Sequence, residues 1–239
     1  MSDAAPWSLD TRRPLVGTAV LIGLVVAVHV GSGLMWSALH GIGVADTLVF
    51  DRSAVMRMRV GGQHQTPLAD GELWRLVTSV FLHGDLLHLL INATSVYALG
   101  RLLEPTLGTL RWVGWFLIGG VGASLACWQV GVLRSDGASG GAFALLAAAV
   151  VLGTVHRDRW APEDRRLMGP VLGLFLVGNL VVSWLIPGID AIAHMVGAAV
   201  GVALALVDPV RPRVHVVYIP VIVLCIGVAV YGGMAVLGL

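Results

Sequence analysis

Charge is what this sequence has least of. Asp, Glu, Lys and Arg together make up 12% of its 239 residues, and lysine is missing altogether: all fifteen cationic side chains are arginine. A soluble domain carries about a quarter charged residues, so this chain has too few to cover a water-facing surface. With 57% hydrophobic residues and a mean hydropathy of +0.87, its solvent is a bilayer. The exclusive use of arginine reads as compositional bias and not as function. A net charge of +1 says little about partners, and nothing suggests nucleic acid. Cysteine is scarce too: Cys127 and Cys225 both fall in apolar runs, which argues against a disulfide framework or a metal cluster. No H-E-x-x-H run is present, so that zinc-protease signature is excluded. Internal repeats and low-complexity tracts are absent.

What is present is a series of apolar runs long enough to cross ~30 Å of hydrocarbon. Helices are predicted near 15–36, 82–102, 110–133, 139–155, 167–186, 189–207 and 214–237. The runs are long, rich in Ala and Leu, and lack two-residue alternation, which excludes strands. The expected fold class is therefore all-α, a polytopic membrane bundle of seven transmembrane helices. Its expected layout is a short cytoplasmic tail at 1–13, a core at 14–210 with a long outer loop near 37–79, and an additional C-terminal transmembrane helix at 211–239.

Arginine placement orients the bundle. With the N-terminus inside, the inner segments hold Arg12, Arg13, Arg101, Arg111, Arg157, Arg159, Arg165, Arg166, Arg211 and Arg213. The outer side holds Arg52, Arg57, Arg59, Arg75 and Arg134, four of them in one long loop, where the positive-inside bias is weaker. The first apolar run is longer than a signal-peptide core and no small-residue cleavage site follows it, so a retained first helix is expected. The loop at 37–79 has a marked apolar share, including Val44, Phe50 and Met56, and is expected to lie in the outer interface.

Polar groups at membrane depth are costly, and each is a functional hypothesis. Five stand out: His83, His88 and Asn92 in FLHGDLLHLLINATS, Ser139 in GASGG, and His194 in IDAIAHMVGAAVG. Gly137-Ala138-Ser139-Gly140-Gly141 matches the G-x-S-x-G elbow of soluble hydrolases, but that motif needs a water-facing α/β fold, which the composition has excluded. In the predicted topology Ser139 opens its helix from the outer side, and His194 lies ~8 Å down its own from the same side. His88 and Asn92 fall in the same leaflet. His194, Gly197 and Gly201 share one helical stripe, and G-x-x-x-G lets another helix approach closely. Gly140 and Gly141 offer the matching small surface beside Ser139.

Chemistry follows from these residue types. A serine hydroxyl needs a base to take its proton, and His194 is the candidate base. Oxyanion stabilisation needs donors in a low-dielectric pocket, and His88, Asn92 and the Ser139 backbone N–H are available. Asp190, one turn before His194 near the rim, could orient it, but a serine–histidine dyad is the reading preferred here.

At this point the chain resembles the rhomboid intramembrane serine proteases, from about Glu72 to Asp208. The ordered motifs are Trp74-Arg75, then His83, His88 and Asn92 in H-x-x-x-x-H-x-x-x-N, Glu104, Gly137-Ala138-Ser139-Gly140, and Ala193-His194-x-x-Gly197-x-x-x-Gly201. The resemblance implies a six-helix core plus one C-terminal helix, with Ser139 as nucleophile and His194 as general base, and no cofactor. It implies an oxyanion role for His88 and Asn92, with His83 and Gly137 supporting the site. Substrates would be single-pass membrane proteins cut within or near the outer end of their transmembrane segment, with the fifth helix and the loop above the site gating access. The expected setting is the lipid bilayer of a bacterial plasma membrane, with the N-terminus cytoplasmic and the site toward the outer face. Phe143 stands where many relatives have Tyr, and Asp190-Ala191 where many carry Asn.

Each residue also has a plainer reading. Ser139 alone would be a helix cap, His88 and Asn92 interhelical hydrogen-bonding groups, and His29 a packing residue. Trp74 and Arg75 are expected to anchor their loop, and the glycines at 114, 119 and 120 to serve packing. Two other function classes compete. A catalytically silent relative would bind transmembrane clients without cutting them, and usually lacks the serine or the histidine. A transporter would spread ionisable groups across the bilayer, whereas here they cluster in one leaflet.

Overall fold

The computed structural model describes residues 7–9, 13–208 and 214–238. Most of the expected 1–13 tail, with Arg12, Arg211 and Arg213, lies outside the described residues. Helix α1 spans Val16–His40 and ends where Gly41 turns left-handed at φ 65°. Four short helices follow in the long connection: α2 (Val44–Leu48), α3 (Ala54–Arg59), α4 (Gln65–Ala69) and α5 (Arg75–Thr78). Then come α6 (Leu86–Leu107), α7 (Thr109–Gln129) and α8 (Ser139–Val155). A π-helical turn at Leu167–Val171 leads into α9 (Leu172–Leu185), followed by α10 (Ala191–Val207) and α11 (Ile219–Leu237). Five apolar helical stretches are long enough to span a membrane, α9 counting only together with its π-helical turn (Leu167–Leu185), while α8 and α10 have 17 residues each.

Those two shorter helices form the centre. Thirteen of the 17 residues of α8 are buried, against two of 14 in α9 and two of 19 in α11. A 17-residue helix rises about 25 Å, some 5 Å less than the hydrocarbon thickness. Helix α8 packs chiefly against α10 and α7, which cover it along most of its length.

Two polar knots hold the end of the bundle where the N-terminal segment lies. Leu15 cannot cap α1 with its side chain, and the cap comes instead from α6. Glu104 accepts hydrogen bonds from the N–H groups of Gly17 and Thr18 at 2.7 and 2.9 Å, and from the hydroxyls of Thr18 and Thr109 at 2.6 and 2.7 Å. A buried carboxylate with four donors at a helix N-terminus is fully satisfied. Glu104→Ala would orphan all four and is expected to destabilise by about 3–5 kcal/mol, read as a lowered thermal midpoint in detergent. In the second knot Arg111 Nε and the Tyr218 hydroxyl both donate to Asp208 at 2.7 and 2.5 Å, and Trp115 Nε1 donates to the Tyr218 oxygen at 2.8 Å. That joins α7 to the end of α10 and the base of α11. At the same end Trp7 pairs by backbone hydrogen bonds with Arg159 and Ala161, so the N-terminal segment and the α8–α9 connection share a side, as the topology predicts.

The opposite end is closed by the long connection. Arg75 donates to Glu72 at 2.8 Å and to the carbonyls of Met58 and Gly62 at 2.5 and 3.0 Å, with its guanidinium 4.4 Å from the Trp74 ring. Arg52 donates to the carbonyls of Thr47 and His29 at 2.7 and 2.5 Å and to Ser32 at 3.0 Å, pinning the loop to α1. His29 itself bonds the Leu48 carbonyl at 2.9 Å. Trp74, Arg75 and His29 thus have the structural roles expected of them.

Candidate active site

Close backbone contact between α8 and α10 creates the site. A Cβ on Gly197 would run into the Gly140 carbonyl oxygen, and one on Gly201 into the Ala144 carbonyl. On the other flank of α8, a Cβ on Gly141 would lie 2.6 Å from the Phe116 carbonyl of α7, and one on Gly140 2.7 Å from Ala123 Cβ. Small residues are required on both flanks because lipid supplies no hydrophobic drive for helix association and packing must do the work. Ser139, at the first position of α8, and His194, one turn before Gly197 on α10, are thereby held on neighbouring faces. The His194 ring is buried and stacks on Phe143, with centroids 4.1 Å apart and planes 14° apart. Phe143 is four residues after Ser139, on the same face. Among the described residues no hydrogen bond links the Ser139 hydroxyl to His194.

Above Ser139 the loop at 134–138 is shaped by two histidines. The Gly137 φ is +125°, and a Cβ there would sit 2.9 Å from both Nε2 and Cε1 of His88. Glycine is needed twice over, for the backbone angle and for room beside the imidazole. Gly84 N–H donates to His88 Nδ1 at 3.3 Å, which leaves the Nε2 proton of the neutral ring pointing toward Gly137. His83 Nε2 accepts from Ala138 N–H at 3.4 Å, and its ring packs edge-on to His88 at 5.0 Å. Asn92, buried one turn along α6, donates to the His88 carbonyl at 3.0 Å with one amide proton. The expected helix at 82–102 starts four residues later than predicted. Asp85 is extended and caps α6 by accepting from His88 N–H at 2.7 Å, so His83 lies in the preceding loop.

Beneath the loop is a cavity of about 20 Å³, lined by Ser79, Ser124, Ser135, Asp136, Ser139 and Asp190 among others. That is room for about one water molecule, with polar partners on several sides. Gln63 borders this polar cluster through its contact with Ser124, and its buried Nε2 has no partner among the described residues. The Asp136 carboxylate accepts from Gln63 N–H at 2.9 Å and faces Arg57 at 3.9 Å. Burial pushes it up to about 6 from 3.8, against the pull of Arg57. A carboxyl raised in the folded state favours folding below its unfolded value, and that contribution is lost as pH rises through the folded value. Stability is therefore expected to climb between about pH 7 and about pH 4, and Asp136→Asn to flatten the climb in thermal unfolding at several pH values.

Asp190 accepts from Ala193 N–H at 2.9 Å and from the Cys127 thiol at 3.4 Å, capping α10. The partner of the His194 side chain is elsewhere: Ser183 on α9, with Oγ 2.6 Å from Nδ1. Sequence reading missed Ser183, whose one signal was a lone hydroxyl inside an apolar run.

Fold and site together define a polytopic helical membrane protein in which α8, opening at Ser139, packs on α10, bearing His194, beside a loop shaped by His83 and His88. By comparison with known families the chain belongs to the rhomboid family: the Rhomboid domain model matches residues 70–211. It is 32% identical over 183 residues to RHOMBOID-like protein 5 of Arabidopsis thaliana, covering 74% of this chain and 58% of that protein. It is 28% identical over 137 residues to the rhomboid protease GluP of Bacillus subtilis, covering 57% of this chain and 26% of that one. The match to Rhomboid-like protease 5 of Toxoplasma gondii is 32% over 134 residues, covering 53% of this chain and 15% of that protein. The chain thus spans little more than half the length of the first relative and much less of the others.

Proposed function

We propose that this chain is an intramembrane serine endopeptidase that cuts single-pass membrane proteins within or near the outer end of their transmembrane segment. The observation that carries the reading is the glycine-mediated contact of α8 with α10, which brings the helix start at Ser139 against the turn bearing His194. Ser139 Oγ attacks the scissile carbonyl carbon while His194 Nε2 takes its proton. The C–N bond then breaks and His194 returns the proton to the leaving amine. A water molecule, for which the polar cavity under the loop has room, hydrolyses the acyl-enzyme through the same histidine. No cofactor enters this scheme.

Negative charge on the tetrahedral oxygen would meet the Ser139 N–H, free at the first turn of a helix, with the His88 Nε2–H and the second Asn92 amide proton. Removing one such donor typically costs ~10²-fold in rate. His88→Ala is accordingly expected to lower kcat by roughly 10²-fold, with thermal stability measured alongside to separate chemistry from folding. His83 and Gly137 act by holding the loop and the His88 ring. The proposed setting is a bacterial plasma membrane, with the N-terminus cytoplasmic and the site toward the outer face. The proposed layout is a core at 14–210 and a C-terminal unit at 211–239 whose helix is α11 (Ile219–Leu237). The test is reconstitution in liposomes with a panel of single-pass reporters. Cleavage near the outer end of the reporter helix, lost in Ser139→Ala and His194→Ala, supports the reading. A folded wild type that binds reporters and cuts none would favour a client-binding, catalytically silent protein.

A further inference from the structure

We propose that Ser183 is a positioning residue for the His194 imidazole, fixing its tautomer and tying its competence to the seating of α9. The proposal rests on the reading of Ser139 and His194 as nucleophile and base. Ser183 and Leu172 are the two buried residues of α9, while its neighbours Leu174, Phe175 and Trp184 are 77%, 57% and 67% exposed. Ser183 lies in the last turn of the helix, and its Oγ has two partners. It is 2.6 Å from the Asn179 carbonyl oxygen and 2.6 Å from His194 Nδ1.

One proton serves those two contacts. A carbonyl oxygen can only accept, so the hydroxyl proton goes to Asn179, the usual back-bond of a serine inside a helix. The contact with the ring is then satisfied only if Nδ1 carries a hydrogen and Ser183 Oγ accepts it. That leaves the Nε2 lone pair bare, the form a base needs in order to take the Ser139 proton. A carboxylate would orient the ring as well but is expensive to bury, whereas a hydroxyl with both contacts satisfied is not. Asp190, the acid on the histidine's own helix, is engaged with Ala193 N–H and the Cys127 thiol. On the far side the Phe143 ring blocks rotation. The imidazole is thus gripped by α8 on one face and by α9 at one nitrogen. Because α9 is otherwise thinly packed, its displacement from α10 would release the nitrogen and leave the base free to take the wrong tautomer.

The test compares Ser183→Val with Ser183→Thr, which have the same shape with and without the hydroxyl. In proteoliposomes with a cleaved reporter, the Val variant is expected to lose ~10–100-fold in kcat with KM within about twofold, and the Thr variant to keep most of the wild-type rate. That loss is smaller than the ~10⁴ seen when a triad carboxylate is replaced, because no charge is removed. Nitrogen-15 NMR of histidine-labelled protein in nanodiscs reads the tautomer without any substrate. The wild-type His194 signal should be Nδ1–H, and the Val variant a mixture. Equal losses in Val and Thr, an unchanged kcat in Val, or an Nε2–H wild type would each overturn the proposal. Failure of the wild type to cut any reporter would instead overturn the protease reading, and the NMR result would still decide the Ser183 bond.

Discussion

Replacing Ser139 with alanine is expected to lower reporter cleavage by at least ~10³-fold while leaving the fold intact. The fold should survive because the Ser139 hydroxyl makes no hydrogen bond among the described residues, so its removal orphans no partner. Alanine is also a strong helix former at the first position of α8. Removing His194 should cost a similar factor in kcat, with a further ~1 kcal/mol of stability from the lost stack on Phe143. The informative result is the double variant. In the proposed dyad nucleophile and base act as a unit, so Ser139→Ala/His194→Ala should be no slower than either single change. Losses that multiplied would mean that the two side chains work independently, and the dyad would be wrong. Initial rates in proteoliposomes, normalised to folded protein, give all three numbers.

The second large effect is on structure. Gly201→Val places a branched side chain against the Ala144 carbonyl, where even one Cβ collides. The obstacle is the backbone of the most buried helix, which cannot turn aside like a flexible side chain, so α8 and α10 must separate. The expected loss is at least ~3 kcal/mol, or roughly 6–12 °C in thermal midpoint for a chain of this size. Gly178→Val on α9, where a Cβ meets nothing within 4 Å, is the control and should change little. Activity should fall with Gly201→Val even in the fraction that stays folded, because the same contact sets the spacing of Ser139 and His194.

The apolar runs made the helices legible, since a membrane span must satisfy its own backbone and carry an unbroken apolar sequence. The 139–155 helix is as predicted, and the others shift by a few residues where a local feature wins. Asp85 caps α6 late, Gly41 closes α1 late, and α7 ends at Gln129, two residues before Gly131 turns left-handed. Ser139, His194, His88 and Asn92 were legible as candidates because each is a polar group in an apolar setting. The four short helices of the long connection were not, because none is long enough to show a period, and their positions depend on Arg52 and Arg75 reaching back across the loop. Glu104 could be picked out by resemblance, but its capping of α1 joins residues 86 and 87 positions apart. Ser183 was invisible for a subtler reason. A serine inside an apolar helix ordinarily bonds its own backbone, and only the position of α10 shows that its second lone pair is used.

The measurement that tests the central claim most directly is covalent labelling of the protein in liposomes with a fluorophosphonate, mapped by tandem mass spectrometry. Such a probe reacts with a serine that a neighbouring base has activated and passes over ordinary hydroxyls. The account predicts a single adduct on Ser139, absent in Ser139→Ala and slowed at least ~10²-fold in His194→Ala. An adduct on any other serine, or labelling of Ser139 at the same rate without His194, would contradict it.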